Sequence, residues 1–130
     1  MIRKKYKVTG KDVDDFMIMH GGAYQAYIYA ILDSFLFEKG YSKRKLDHLK
    51  VRLQKCKEEF TYQKHLMFTQ DFFLNMEFLS TAEDLSKIYV RSRFFNSNNE
   101  LCAVSNTELY WFDYHQKMAV APPKDIFGRS

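Results

Sequence analysis

The chain has 130 residues, 46% of them hydrophobic, which is enough for one domain over residues 1–130 with a core of its own. Its net charge of +4 comes from scattered Lys and Arg, with local clusters at Lys43, Arg44 and Lys45 and at Lys50, Arg52, Lys55 and Lys57; there is no basic stripe interleaved with aromatics, so no nucleic-acid partner is expected. No apolar run reaches the roughly 20 residues that cross a bilayer, residues 1–11 lack the apolar core of a secretion signal, and two cysteines without metal or framework spacing fit a reducing, cytoplasmic setting with no membrane partner.

Residues 3–9 read as a short strand with Tyr6 and Val8 on one face, ended by Gly10. Asp12, Asp14 and Asp15 follow in a turn, and residues 16–19 form an apolar run that has to be buried close to these acids. From 23 to 39 the spacing is helical, because Tyr24, Tyr27, Ile28, Ile31, Leu32, Phe35 and Leu36 recur on one face. Ala26, Tyr29, Ala30 and Phe37 widen the apolar surface, so other structure has to enclose this helix. Gly40 is its expected stop.

After Gly40 the period changes. Leu49, Val51 and Leu53 alternate with basic residues as in a half-wet strand, although Leu46, Leu49, Leu53 and Cys56 also fit an amphipathic helix over 43–56. Phe60 and Tyr62 are expected to open another strand. Segments 68–78, 85–95 and 101–113 are long, aromatic and rich in β-branched residues, and Asn96-Ser97-Asn98-Asn99 is the clearest hairpin turn. Pro122-Pro123 closes the last strand. The sum is an α+β chain: one long central helix, then an antiparallel meander that curls around it.

The chemistry concentrates in residues 12–24. Three acids stand a few residues ahead of Gly21-Gly22, the pair that opens the helix. Unpaired N–H groups of a first helical turn stabilise developing negative charge, so a carboxylate beside them suits acyl transfer. Asp is equally at home in turns and caps. His20 has no companion Ser or Cys at a nucleophile position, and a histidine there can simply bond to the loop. His48, His65 and His115 lie in separate segments, and no metal site is expected.

Three residue sets, in order, carry a resemblance over nearly the whole chain. Asp12 and Asp14 form an Asp-x-Asp pair followed ten residues later by Tyr24; Tyr62 precedes Phe68, Asp71 and Phe72; and Thr107 leads through Trp111 and Asp113 to Pro122. In these the chain resembles the 4-hydroxybenzoyl-CoA thioesterase-like acyl-CoA thioesterases. The resemblance implies a hot-dog fold, with one long central helix wrapped by a curved antiparallel sheet of five or six strands. It also implies hydrolysis of an acyl-CoA, or of an acyl-carrier-protein thioester, to free acid and thiol without a cofactor. Asp14 would be the base or nucleophile, and the Gly21 amide would polarise the carbonyl. His20, Gly22 and Tyr24 near the helix start, and Ser86 and Lys87 on a strand that contributes to coenzyme A binding, would contact substrate. The helix face and strand aromatics would form an acyl tunnel, and the subunits would assemble as a homodimer or homotetramer. The sequence departs from the pattern where Met17 and Ile18 replace a Gly and the residue after it, and where His20-Gly21-Gly22 replaces the usual Asn or His. Met17 and Ile18 leave room for an alternative, a non-catalytic acyl-CoA-binding or regulatory module.

Overall fold

The computed structural model describes residues 1–79 and 87–121. Strand β1 (Ile2–Lys7) leads through a 3-10 turn at Gly10–Asp12 into helix α1 (Gly21–Glu38) and the short helix α2 (Lys43–Leu49). Strands β2 (Val51–Tyr62), β3 (Asp71–Leu79), β4 (Lys87–Asn96), β5 (Leu101–Asp113) and β6 (Met118–Val120) complete the chain. The strands form one antiparallel sheet in the order β1-β3-β4-β5-β2, with β6 alongside the end of β5. Among the described residues no helix is long and apolar enough to cross a membrane.

Helix α1 lies against one face of this curled sheet, as its wide apolar surface requires. Ala23, Tyr24, Ile28, Ile31, Leu32 and Leu36 are buried on it. They share a core with Phe72, Leu74 and Met76 of β3, Val90 and Phe94 of β4, and Leu109 and Trp111 of β5. Aromatic contacts fix the docking along its length: Tyr24 meets Phe94 edge-on at 4.9 Å, Tyr27 meets Phe72 at 5.1 Å, and Phe35 meets Phe78 at 4.7 Å. Of the aromatics on the faces expected to form an acyl tunnel, Tyr24, Phe72, Phe94 and Trp111 are packed core, whereas Phe37 and Tyr62 are exposed. At its far end the helix stops as the sequence indicates, with Lys39 N–H donating to the Phe35 and Leu36 carbonyls and Gly40 at φ 90°.

The ambiguous stretch after Gly40 resolves into both expected alternatives in succession. Residues 43–49 are helical, capped by the Ser42 hydroxyl, which accepts from Lys45 N–H at 3.2 Å. Lys50 takes a left-handed φ of 61°, and β2 begins at the next residue. Phe60 and Tyr62 belong to this same strand and do not start another. Two strands seemed present because the inward parity changes within β2. Lys55 pairs with Leu109 and Lys57 with Glu108, which leaves Cys56 as the extra residue of a β-bulge. Before it Val51 and Leu53 face the core; beyond it the phase shifts, and Glu58, Phe60 and Tyr62 share the inward side. Cys102 occupies a similar register shift where Phe94 pairs with Ala103 and Phe95 with Leu101.

The remaining strand bounds shift slightly. Residues 68–70 belong to the connection before β3, and the hairpin at Asn96 to Asn99 joins β4 to β5, with Asn99 at φ 61°. The short β6 was not expected from sequence. Residues 85 and 86 of the strand expected over 85–95, Pro122, Pro123 and the tail lie outside the described residues.

The bulge makes a prediction. Cys56→Ser, at an exposed position, leaves stability within about 0.5 kcal/mol. Deleting residue 56 turns Val51 and Leu53 outward and lowers the unfolding free energy by about 3 kcal/mol or more. Urea denaturation of the two variants measures the contrast.

Candidate active site

Residues 12–20 form a miniature antiparallel loop ahead of α1. His20 N–H donates to the Asp12 carbonyl at 3.0 Å, Asp14 N–H to the Ile18 carbonyl at 2.9 Å, and Val13 bridges Met19. Its tip is tied by Asp14, whose Oδ1 accepts from Phe16 N–H at 2.8 Å and from Ile18 N–H at 3.2 Å. This is an Asx-type turn, which a short carboxylate makes readily. Asp14 remains exposed, and its Oδ2 has no partner among the described residues. Met17 occupies the tip at φ 65°, a left-handed conformation that favours glycine.

A second chain segment holds this loop in place. Met19 N–H donates to the Leu66 carbonyl at 2.8 Å, Phe68 N–H to the Met17 carbonyl at 2.9 Å, and Ile18 bridges Met67. Thr69, in the same connection, takes φ 74° and donates its N–H to the Val8 carbonyl at 3.1 Å. A β-branched residue there is a backbone outlier, held by the strands on either side.

Asp12 plays a different part from Asp14. It is buried at 5% exposure, and its Oδ2 accepts from Thr9 N–H and Thr9 Oγ1, each at 2.9 Å, and from the Tyr27 hydroxyl at 2.5 Å. Burial works to raise its pKa. The hydrogen bonds from Tyr27 and Thr9, with the nearby Lys11 charge, outweigh that and hold the carboxyl below its ordinary value. The Tyr27 phenol is correspondingly pushed up, first by burial and then by the Asp12 charge. Asp15 is exposed.

At the helix start, His20 is the N-cap. Its Nδ1 accepts from Ala23 N–H at 3.1 Å, and its Nε2 lies 3.3 Å from the Lys11 carbonyl. An accepting Nδ1 leaves the proton on Nε2, which donates to that carbonyl, so both ring nitrogens are engaged in tying the loop. The amides of Gly21 and Gly22 have no acceptor among the described residues. A Cβ on Gly22 would stand 3.4 Å from His20 Nδ1, so the bare glycine lets the capping ring lie close. Exposed apolar side chains surround this end: Phe16 at 78%, with Met17, Tyr62 and Phe68.

Of the residues expected from sequence, His20, Gly21 and Gly22 stand at the α1 N-terminus, and Asp14 lies at the tip of the loop whose base, Asp12 to His20, adjoins that terminus. Tyr24 is in the core at 2% exposure, among Phe60, Tyr62 and Phe94, with its phenol pushed up to about 12, chiefly by burial. Lys87 opens β4, where it forms an ion pair with Glu108 at 2.8 Å. Ser86 lies outside the described residues. Among those residues no three His, Cys, Asp or Glu side chains are grouped to hold a metal. A cleft of about 350 Å³ lies at the other end of α1, lined by Asp33, Phe37, Tyr41, Lys43 and Leu46.

The sequence reading did not single out Glu58. Its side chain is 6% exposed, accepting from Gln25 Nε2 at 2.5 Å and from Thr107 Oγ1 at 3.4 Å, with Lys55 Nζ at 3.5 Å. Its signal was the even parity shared with Phe60 and Tyr62, together with Gln25, a polar residue on an otherwise apolar helix. Tyr62 was noted only as part of a strand pattern, yet its hydroxyl reaches the start of α1.

Solved structures match this fold closely. A Staphylococcus aureus protein in complex with CoA superposes with a TM-score of 0.85 at 17% identity, covering 95% of this chain and 77% of that one. A gentisyl-coenzyme A thioesterase gives 0.82 at 14%, with 96% and 98% covered. A 1,4-dihydroxy-2-naphthoyl-CoA thioesterase from Synechocystis gives 0.82 at 10%, with 94% and 89% covered. The chain has the hot-dog fold. Its structural neighbours include thioesterases of that fold, which agrees with the resemblance in the sequence. No family model matches the sequence, and no curated protein matches it either. Within the hot-dog frame, the loop before the central helix is the segment that Asp12 anchors and Asp14 shapes.

The Asp12 anchor sets a pH dependence. A carboxyl whose folded pKa lies below its unfolded value, about 3.9, stabilises the fold fully above that value. The contribution is lost as pH falls through the folded pKa. Asp12→Asn is therefore expected to lower stability by about 1–3 kcal/mol at neutral pH and to narrow its gap to the parent protein below about pH 4. Thermal unfolding across pH 2–7 checks both the size and the sign.

Proposed function

We propose that the chain is an acyl-CoA thioesterase that hydrolyses its substrate to free acid and thiol. What supports this reading is that, on a hot-dog frame, one short segment carries both an exposed Asp14 carboxylate and, seven and eight residues further on, the open amides of Gly21 and Gly22. The thioester carbonyl would take the Gly21 N–H, because a residue without a side chain allows close approach. Asp14, with one oxygen tied to its own turn and the other free, would activate water or attack the carbonyl carbon. With water, the proton passes to Asp14, the carbonyl electrons move onto oxygen, and their return expels the thiolate. His20 would serve by fixing the helix start, and Gly22 by leaving room for the capping ring. Neighbours that carry CoA or act on aromatic acyl-CoAs support the substrate class, and the exposed apolar residues around Asp14 suit an apolar acyl group.

Assembly belongs to the same proposal. Among the described residues β2 pairs on one side only, with β5, so the outer edge of a 12-residue strand is open. An edge of that length calls for a partner, and a homodimer, or a tetramer built from two, would cover it. Cys56 and Cys102 are both free thiols, which suits a reducing cytoplasm.

One observation favours the non-catalytic alternative. Asp14 Oδ1 caps its own turn, which a purely structural aspartate would also do. Thiol release from a panel of aliphatic and aromatic acyl-CoAs, followed with a thiol-reactive dye, separates the readings. Hydrolysis by the parent protein, with kcat reduced about 100-fold or more in Asp14→Asn, is the expected result. Release at background across the panel supports the binding module, and full activity in Asp14→Asn removes Asp14 from the chemistry.

A further inference from the structure

Tyr62 ends β2 with its ring stacked on Phe60, at 5.5 Å between centroids and 6° between planes, and edge-on to Tyr24 at 5.3 Å. These contacts fix the ring, while the residue stays 51% exposed and its hydroxyl has no hydrogen-bond partner among the described residues. A Cβ built on Gly21 would stand 3.6 Å from that hydroxyl. Any Cβ is about 2.5 Å from its own amide nitrogen, so the phenol oxygen is no more than about 6 Å from the Gly21 nitrogen. Two donors that share one acceptor at about 2.9 Å each can stand up to about 5.8 Å apart. Within that bound, a separation of about 5 Å lets one carbonyl oxygen accept from both along its two lone-pair directions.

Resting on the hydrolase reading, we infer that the Tyr62 hydroxyl is a catalytic residue that donates a hydrogen bond to the substrate's thioester carbonyl oxygen beside the Gly21 amide. As oxygen adds to the carbonyl carbon, the C=O electron pair moves onto the carbonyl oxygen and both donors strengthen their bonds to it. Neither gives up its proton. The pair then returns, the C–S bond breaks and the thiolate leaves. Because the phenol is held by packing against Phe60 and Tyr24, it needs no reorganisation at the moment charge develops. Burial, and then the Glu58 carboxylate, raise the Tyr62 pKa, which keeps the donor proton in place.

Tyr62→Phe keeps the ring and removes only the oxygen. With the best acyl-CoA of the panel, kcat is expected to fall about 100-fold, with KM within about twofold and the melting midpoint within about 1 °C. A second readout needs no turnover: the carbonyl 13C shift of bound 13C-labelled analogues of benzoyl-CoA and octanoyl-CoA in which CH2 replaces the thioester sulfur. The parent protein is expected to move that signal downfield, and Tyr62→Phe to reverse part of the displacement. An unchanged kcat or an unchanged carbonyl shift in Tyr62→Phe overturns the inference and leaves the hydrolase reading standing. A Tyr62-dependent shift without thiol release supports the contact and overturns the hydrolase reading. Analogues that do not bind overturn both.

Discussion

The buried Asp12 carboxylate is the joint on which the site loop depends. One oxygen takes three hydrogen bonds, two from Thr9 just after β1 and one from Tyr27 on α1. Strand, loop and helix are thereby fixed to one another at a single point. A carboxylate removed from water is costly unless it is hydrogen-bonded, and here Oδ2 is engaged three times by groups that the fold itself supplies. Tyr27 is held in turn by its packing on Tyr6 and Phe72. The anchor thus belongs to the aromatic core, and the exposed tip bearing Asp14 is built outward from it.

Strain collects on the same segment. Met17 and Thr69 both take left-handed backbone conformations, and they sit in two loops zipped together through Phe68 N–H and the Met17 carbonyl. Such conformations persist when the surroundings over-determine them. Core strands on both sides, the Asp14 turn and the His20 cap provide that determination. The departure of Met17 from the glycine of the family pattern changes the side chain while the backbone keeps the shape glycine favours.

The central helix was legible because its signal is long and redundant: a run of apolar residues at helical spacing, glycines at one end and Gly40 at the other. The three long strands and the Asn-rich turn were legible for the same reason. The region from 43 to 62 was not, and Cys56 explains why. Alternation is read by parity, and one bulged residue reverses it, so a single strand looked like two, and Glu58 drew no notice. The loop that carries Asp14 and the His20-capped helix start could be read because those residues are close in sequence. Tyr62 comes from far along the chain, and only the β2 register brings its hydroxyl to the helix start.

The strand order has a consequence for how the chain is made. Helix α1 leaves the ribosome before any of β2 to β6, so its aromatic face exists for a time with nothing to cover it. β1, the first strand synthesised, has to wait for β3, pairing Ile2 with Met76 and Lys7 with Asp71. Contacts this distant close slowly, and an uncovered apolar helix is sticky in the meantime. The nascent chain is therefore most vulnerable between completion of α1 and emergence of β5. Chaperone occupancy and synthesis speed across that window bear directly on yield.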